Sequence, residues 1–120
     1  MSRFVTAALA GVILSLAGGL LATGTAMGAD DAMAKGRELA FDRKKGNCLA
    51  CHMIADGDLP GNLGPPLIAM KARYPDKAAL RAQIWDSTVS NPRTTMPPFG
   101  KHGILSDEEI DLVTEYIYSL

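Results

Sequence analysis

The sequence predicts a small all-α domain, because two helical patterns lie near its ends and no β-branched run precedes the cysteines between them. The first pattern runs from Asp30 to about Lys45 and the second from Ser106 to Leu120. The segments around Pro60 and Pro97 are too rich in Gly and Pro for a regular element. We therefore expect short helices joined by stiff loops.

Residues 1–29 are predicted to be a signal peptide. Their single charge, Arg3, precedes an uncharged apolar run that gives way to small residues, and a signal peptidase could cut near 26–29. The run is also long enough to span a bilayer, so an uncleaved anchor is the alternative. Either outcome exports residues 30–120 to the periplasm as one domain with a marginal apolar core. The net charge of −1 argues against nucleic-acid binding.

The first helix is predicted with acidic residues at its start and Lys44 and Lys45 at its end, as the helix dipole favours. Gly46 and Asn47 would close it, with Gly46 as the glycine that commonly follows a helix. Glycine inside a helix costs about 1 kcal/mol relative to alanine, so Gly36 indicates close contact with another helix. The predicted buried face consists of Met33, Gly36, Leu39 and Ala40.

Residues Cys48 to His52 form a C-x-x-C-H motif, the attachment sequence of a c-type haem. Two thiols can bond the vinyl groups on one porphyrin edge, and the adjacent imidazole can ligate iron. A thioredoxin-like pair would follow a strand, and a simple disulfide needs no histidine. A zinc site with His102 would need Cys51 and His52 to bind one ion at an unusual spacing. The motif therefore favours one covalent haem c held by Cys48, Cys51 and His52.

The Gly- and Pro-rich loop after His52 offers an acceptor for the imidazole N–H that does not face iron. A ligating histidine needs such a partner, and a proline carbonyl in a stiff loop has a fixed position. Pro65 is the predicted partner. Without the motif beside them, these prolines would instead indicate a surface turn.

A middle helix is predicted to start within Tyr74–Asp76 and to run to about Ser87, with Leu80 and Ile84 on its buried side. Trp85 either fills the core or donates its indole N–H to a haem propionate.

Met96 is the predicted sixth ligand of the iron. It lies in the loop 91–100, where Pro97 keeps the chain extended and leaves the sulfur free to point inward. His102 is the competing ligand, and a bis-histidine iron would have a lower reduction potential.

The C-terminal helix begins with a capping box, in which Ser106 is the N-cap and Glu109 is the third helical residue. Tyr116 is expected to pack against Gly36 of the first helix. The apolar face consists of Ile110, Val113, Ile117 and Leu120.

The order of these features resembles a class I cytochrome c, in which a helix, C-x-x-C-H, a Gly-Pro-x-Leu loop, a Met-Pro loop and a terminal helix follow one another. Residues 44–120 more closely resemble the SoxX family, the monohaem subunits of the sulfur-oxidation cytochrome SoxAX. The resemblance implies a class I cytochrome c fold with iron bound by His52 and Met96. It rests chiefly on Gly46–His52, Pro60–Leu67 and Met96–Gly100.

The resemblance also implies partners. They are a SoxA-like cytochrome subunit in a periplasmic heterodimer, a SoxYZ-like carrier protein whose cysteine receives thiosulfate, and a downstream cytochrome c. The residues themselves indicate electron transfer, since haem uses both cysteines and the pair His52 and Met96 leaves no open coordination site. The bond-making of an L-cysteine S-thiosulfotransferase would then occur on the partner.

Two other classes stay open. A free electron shuttle for an oxidase or reductase would be a monomer with no obligate partner, and a haem sensor would have five-coordinate iron. Lys44 and Lys45 either complement the dipole of their own helix or steer an acidic electron acceptor.

Overall fold

The computed structural model describes residues 27–120. The predicted signal peptide, residues 1–29, therefore lies outside the described residues except for its last three residues. The described part is helical and contains no strand, which confirms the predicted all-α class. No helix in it combines the length and apolarity needed to cross a membrane. The elements are α1 (Ala29–Phe41), a 3₁₀ turn (Cys48–Ala50), α2 (Met70–Arg73), α3 (Lys77–Trp85) and α4 (Asp107–Tyr118).

The helices α1 and α4 form the main helix pair of the described chain. They cross at Gly36, where an added Cβ would lie 2.0 Å from the carbonyl oxygen of Leu112 and 3.0 Å from the Cβ of Tyr116. Only glycine allows the two backbones to approach this closely. The predicted contact between Gly36 and Tyr116 is therefore confirmed.

The helix α1 ends at Phe41, before the predicted end near Lys45. Asp42 causes the early end, because its Oδ1 accepts the backbone N–H of Lys44 at 2.8 Å and its carbonyl oxygen accepts that of Lys45 at 3.0 Å. A short polar side chain that binds nearby backbone competes with helical pairing. Lys44 and Lys45 therefore do not complement the helix dipole, and that prediction is wrong.

Two further details of this segment differ from prediction. The left-handed residue after the helix is Asn47, with φ 47°, and Gly46 is needed instead because an added Cβ would lie 2.8 Å from the carbonyl oxygen of Leu39. Met33, predicted on the buried face, is 36% exposed. It lies one turn before the contact at Gly36, and crossing helices diverge away from their contact point.

The helix α3 agrees with prediction. Asp76 is its N-cap and accepts the backbone N–H of Ala78, while Leu80 and Ile84 are buried. The single turn of α2 was not predicted, because four residues are too few to show a helical period.

The helix α4 contains the predicted capping box. The backbone N–H of Glu109 donates to Ser106 Oγ at 3.1 Å, and that of Ser106 donates to Glu109 Oε2 at 2.9 Å. Leu120 is only partly buried, while its carbonyl oxygen accepts the backbone N–H of Met70 at 2.9 Å. The rest of the predicted apolar face is buried, namely Ile110, Val113 and Ile117.

Candidate haem site

A cavity of about 720 Å³ lies against the cysteine motif. Cofactor pockets typically measure about 300–1,000 Å³, so this cavity has room for a large planar ligand. Its walls come from both loops and from α3 and α4, and they are mainly apolar. Residues that line it include Cys48, Cys51, His52, Gly64, Pro65, Leu67, Leu80, Ile84, Met96, Phe99, Val113 and Ile117.

The cysteine motif forms a tight turn at the edge of this cavity. The backbone N–H groups of Cys51 and His52 both donate to the carbonyl oxygen of Cys48, at 3.1 and 2.9 Å. No disulfide joins Cys48 and Cys51, so both sulfurs can bond a haem.

The imidazole of His52 is fixed by the loop that follows it. Its Nδ1 lies 2.7 Å from the carbonyl oxygen of Pro65. A carbonyl oxygen only accepts, so Nδ1 carries the proton and Nε2 keeps a lone pair for a metal. Gly64 lets the loop backbone press on the ring, since an added Cβ would lie 2.4 Å from His52 Cε1.

Met96 lines the cavity and is partly buried. Both of its peptide groups are held, because its N–H donates to Thr94 Oγ1 at 3.1 Å and its carbonyl oxygen accepts from Ser87 Oγ at 2.7 Å. His102, the competing ligand, is exposed and is not part of the cavity wall. The fold therefore brings Met96, and not His102, to the same cavity as His52.

Trp85 does not fill the core, because 38% of it is exposed. Its ring lies against Gly100, where an added Cβ would be 2.0 Å from the indole Cδ1. The indole is also absent from the cavity wall. This placement makes Trp85 a packing partner of the Met96 loop.

The charged residues that line the cavity are all basic, and only Lys44 and Lys45 among them were predicted beside the haem edge. Lys45 Nζ is paired with Glu109 Oε1 at 2.7 Å. Within residues 27–120 the other members of the group form no ion pair with a carboxylate. Arg73 and Arg93 are distant from the motif in sequence, so no local signal could have placed them here. We call these four unpaired cations the basic rim: Arg43, Lys44, Arg73 and Arg93.

The residues of the cavity fit a haem c. Two thiols lie together at one edge, His52 presents a nitrogen donor, Met96 presents a thioether donor, and the walls between them are apolar. In the part of the chain that the structure covers, no group of three or more His, Cys, Asp and Glu side chains is placed to hold a metal ion.

Fold and cavity together define a class I c-type cytochrome, and comparison with known proteins agrees. Residues 23–117 match the family described as cytochrome C oxidase, cbb3-type, subunit III, and the chain belongs to this family of cytochrome c domains. The crystal structure of SoxXA from P. pantotrophus superposes with a TM-score of 0.64 at 26% sequence identity, over 72% of this chain and 79% of that chain.

An uncharacterized lipoprotein of Aquifex aeolicus (strain VF5) is 37% identical over 79 residues. The match covers 62% of this chain and only 37% of that protein, so the chain spans little more than a third of this relative's length.

These matches confirm several predictions. The fold is that of a SoxX-like class I cytochrome c, the cofactor is a covalently bound haem c with its iron, and the chemistry is electron transfer. The relatives also place the protein outside the cytoplasm.

Proposed function

We propose that this chain is the electron-transfer subunit of a SoxAX-like heterodimer in the periplasm. The observation that carries the proposal is that His52 and Met96 line one cavity with both cysteines. In this proposal Cys48 and Cys51 hold haem through thioether bonds, and His52 and Met96 ligate the iron. Pro65 fixes the orientation of His52. The chain then keeps no nucleophile for sulfur chemistry of its own.

Bound haem supplies an iron that takes up one electron and releases it. The side chains determine how easily this happens, because the Met96 sulfur favours reduced iron and the apolar walls exclude water. In the proposed pathway, thiosulfate and a carrier thiol join on the partner as R–SH + S₂O₃²⁻ → R–S–S–SO₃⁻ + H⁺ + 2 e⁻. The chain passes these electrons singly to a downstream cytochrome c.

The likeness to SoxXA supports a SoxA-like partner, and the surface offers a place for it. The loop after His52 carries large apolar side chains that face solvent, with Leu59 97% exposed. Leu63 and Ile68 are also exposed, and Leu63 reaches the cavity wall. Permanent subunit interfaces are more apolar than transient ones, which suits this loop.

Purification of the protein from native extract, followed by mass spectrometry, tests the proposal. A SoxA-like cytochrome should co-elute with the wild type, and Leu63→Asp should abolish this association. Val89→Asp is the matched control, since Val89 is exposed on a different loop and should leave the complex intact. A haem that stays oxidised when thiosulfate, carrier and the SoxA-like subunit are all present would contradict the proposal.

The free electron shuttle remains the second candidate, and the basic rim favours it. Cations without carboxylate partners around the cavity suit a brief, electrostatically steered encounter with an acidic protein. Sedimentation of the native protein separates the two candidates, because a shuttle sediments as a monomer at every protein concentration.

A further inference from the structure

We infer that Ser87 is a positioning residue that holds Met96 against the haem iron. The inference rests on the proposed role of Met96 as a ligand. Ser87 is not part of the cavity wall and has no contact with the cofactor site of its own. It acts through the main chain of Met96.

The bond between these two residues is partly buried, and Ser87 is its fully buried partner. Ser87 is 0% exposed, and its Oγ donates to the carbonyl oxygen of Met96 at 2.7 Å. Among residues 27–120 no other donor reaches that carbonyl oxygen. Loss of the hydroxyl would therefore leave the acceptor without a donor from the described protein.

The Met96 segment has few other ways to anchor itself. Pro97 and Pro98 have no N–H, so the only amide donor in these three residues is that of Met96. That amide donates to Thr94 Oγ1 at 3.1 Å. Two hydroxyl groups, from Thr94 within the loop and from Ser87 beyond α3, therefore fix Met96 on both sides.

The end of α3 also holds the rest of this loop. The carbonyl oxygen of Trp85 accepts the backbone N–H of Gly100 at 3.1 Å, and that of Ser87 accepts the backbone N–H of Asn91 at 3.1 Å. Asp86 Oδ2 accepts from Lys101 Nζ at 2.8 Å. Three consecutive residues thus tie down the start, the middle and the end of the loop, and Ser87 supplies the tie at the methionine.

Without this hydrogen bond, the Met96 sulfur should leave its position more often. Loss of the Ser87 hydroxyl favours loop conformations in which the Met96 carbonyl oxygen reaches water, and these conformations carry the sulfur away from its position. Loss of one such hydrogen bond corresponds to a change of about 5- to 30-fold in this population. An added ligand that competes with Met96 should then bind more readily by the same factor.

The experiment is an imidazole titration of the oxidised holoprotein, followed through the sulfur-to-iron charge-transfer band. Ser87→Ala should bind imidazole about 5- to 30-fold more tightly than wild type. Ser119→Ala is the matched control, because it removes a serine hydroxyl that donates to the Tyr116 carbonyl at 2.6 Å on α4. Its imidazole affinity should equal that of wild type.

A second pair of variants keeps the test decisive if Ser87→Ala folds poorly. The side chains introduced by Ser87→Thr and Ser87→Val have nearly the same shape, and only that of Thr carries a hydroxyl. The Ser87→Val protein should therefore bind imidazole more tightly than the Ser87→Thr protein. Equal affinities in this pair, or a wild-type affinity in Ser87→Ala, would overturn the inference. A wild type with no charge-transfer band would instead overturn the proposed Met96 ligand.

Discussion

The two loops that bring His52 and Met96 to the cavity are held in different ways. The loop after His52 is tied to the cysteine motif by the main chain, since the N–H groups of Gly61 and Gly64 donate to Leu49 and Cys51 at 2.8 Å each. The Met96 loop has main-chain bonds at its two ends, but Met96 itself is held by two side chains, the hydroxyls of Ser87 and Thr94. Main-chain hydrogen bonds are kept in most substitutions, whereas a single substitution can remove a side-chain hydrogen bond.

The same difference predicts which changes each loop tolerates. An added Cβ on Gly61 would lie 1.9 Å from the carbonyl oxygen of Ala50, and on Gly64 it would meet the His52 ring. The His52 loop is therefore sensitive to added atoms. The Met96 loop is sensitive to lost ones, such as the Ser87 hydroxyl.

Removal of the covalent attachment of haem should have the largest effect. Cys48→Ser combined with Cys51→Ser should abolish haem that resists acid–acetone extraction, because no thioether bond can form. The apolar cavity walls would then lose the surface that covers them, so folding should fail as well. Extraction of the purified variant measures this, and a normal haem yield would contradict it.

Removal of the proposed distal donor should have the next largest effect. Met96→Ala should erase the sulfur-to-iron charge-transfer band of the oxidised protein and lower its reduction potential, because soft sulfur favours reduced iron. His102→Ala should change neither, since His102 is exposed outside the cavity. The opposite pattern in these spectra and potentials would make His102 the ligand.

A single added methyl group tests the His52 loop. Gly64→Ala should lower the free energy of unfolding by about 1–3 kcal/mol, because the Cβ would overlap the imidazole ring and the loop must move. Ser90→Thr is the control, because it adds one methyl group at an exposed residue away from His52. Urea unfolding of both holoproteins measures the difference. Equal unfolding midpoints of the two variants would show that the loop moves to accommodate the added methyl group without loss of stability.

Sequence reasoning succeeded where the signal is local. The cysteine motif, the Ser106 capping box and Gly36 are each recognised from a few neighbouring residues. It failed at the end of α1, where Asp42 diverts the backbone into a turn that the helical period does not reveal. It also missed Ser87, because a hydroxyl's partner depends on where the chain returns, and spacing alone does not show that.

The carboxylates near the two loops should respond differently to acid. Lys101 and then the Thr88 hydroxyl hold the pKa of Asp86 below its ordinary value. Such a group stabilises the fold above about pH 3.9, the ordinary aspartate pKa, and this contribution is lost as pH falls through the lower folded pKa. Asp86→Asn should therefore reduce stability at neutral pH and flatten its decline in acid.

Asp56, near the His52 loop, supplies the comparison. Hydrogen bonding from Arg37 lowers the pKa of Asp56, but both side chains are about half exposed, so solvent screens the pair. Asp56→Asn should change the acid decline less than Asp86→Asn does. Urea unfolding between about pH 3 and pH 7 measures the stability of both variants. A larger change in the acid decline for Asp56→Asn than for Asp86→Asn would contradict the proposed order.

The smallest expected effect concerns the basic rim and identifies the side of the cavity that meets an electron acceptor. Lys44 lies beside the cysteine motif and Arg93 lies in the Met96 loop, and both are unpaired cations. Electrons leave most readily at the edge where the thioether bonds form. Lys44→Glu should therefore slow association with an acidic acceptor more than Arg93→Glu does.

Stopped-flow electron transfer at several salt concentrations measures this effect. Exposed charges are screened over about 10 Å at 0.1 M salt, so the wild-type rate should fall as salt rises and the rate of Lys44→Glu should fall less. Lys35→Glu is the control, because Lys35 is paired with Glu38 on α1 and does not line the cavity. A larger effect of Arg93→Glu would place the acceptor at the Met96 loop. If neither salt nor any of these charge reversals changes the rate, docking must depend instead on the apolar side chains around Leu63.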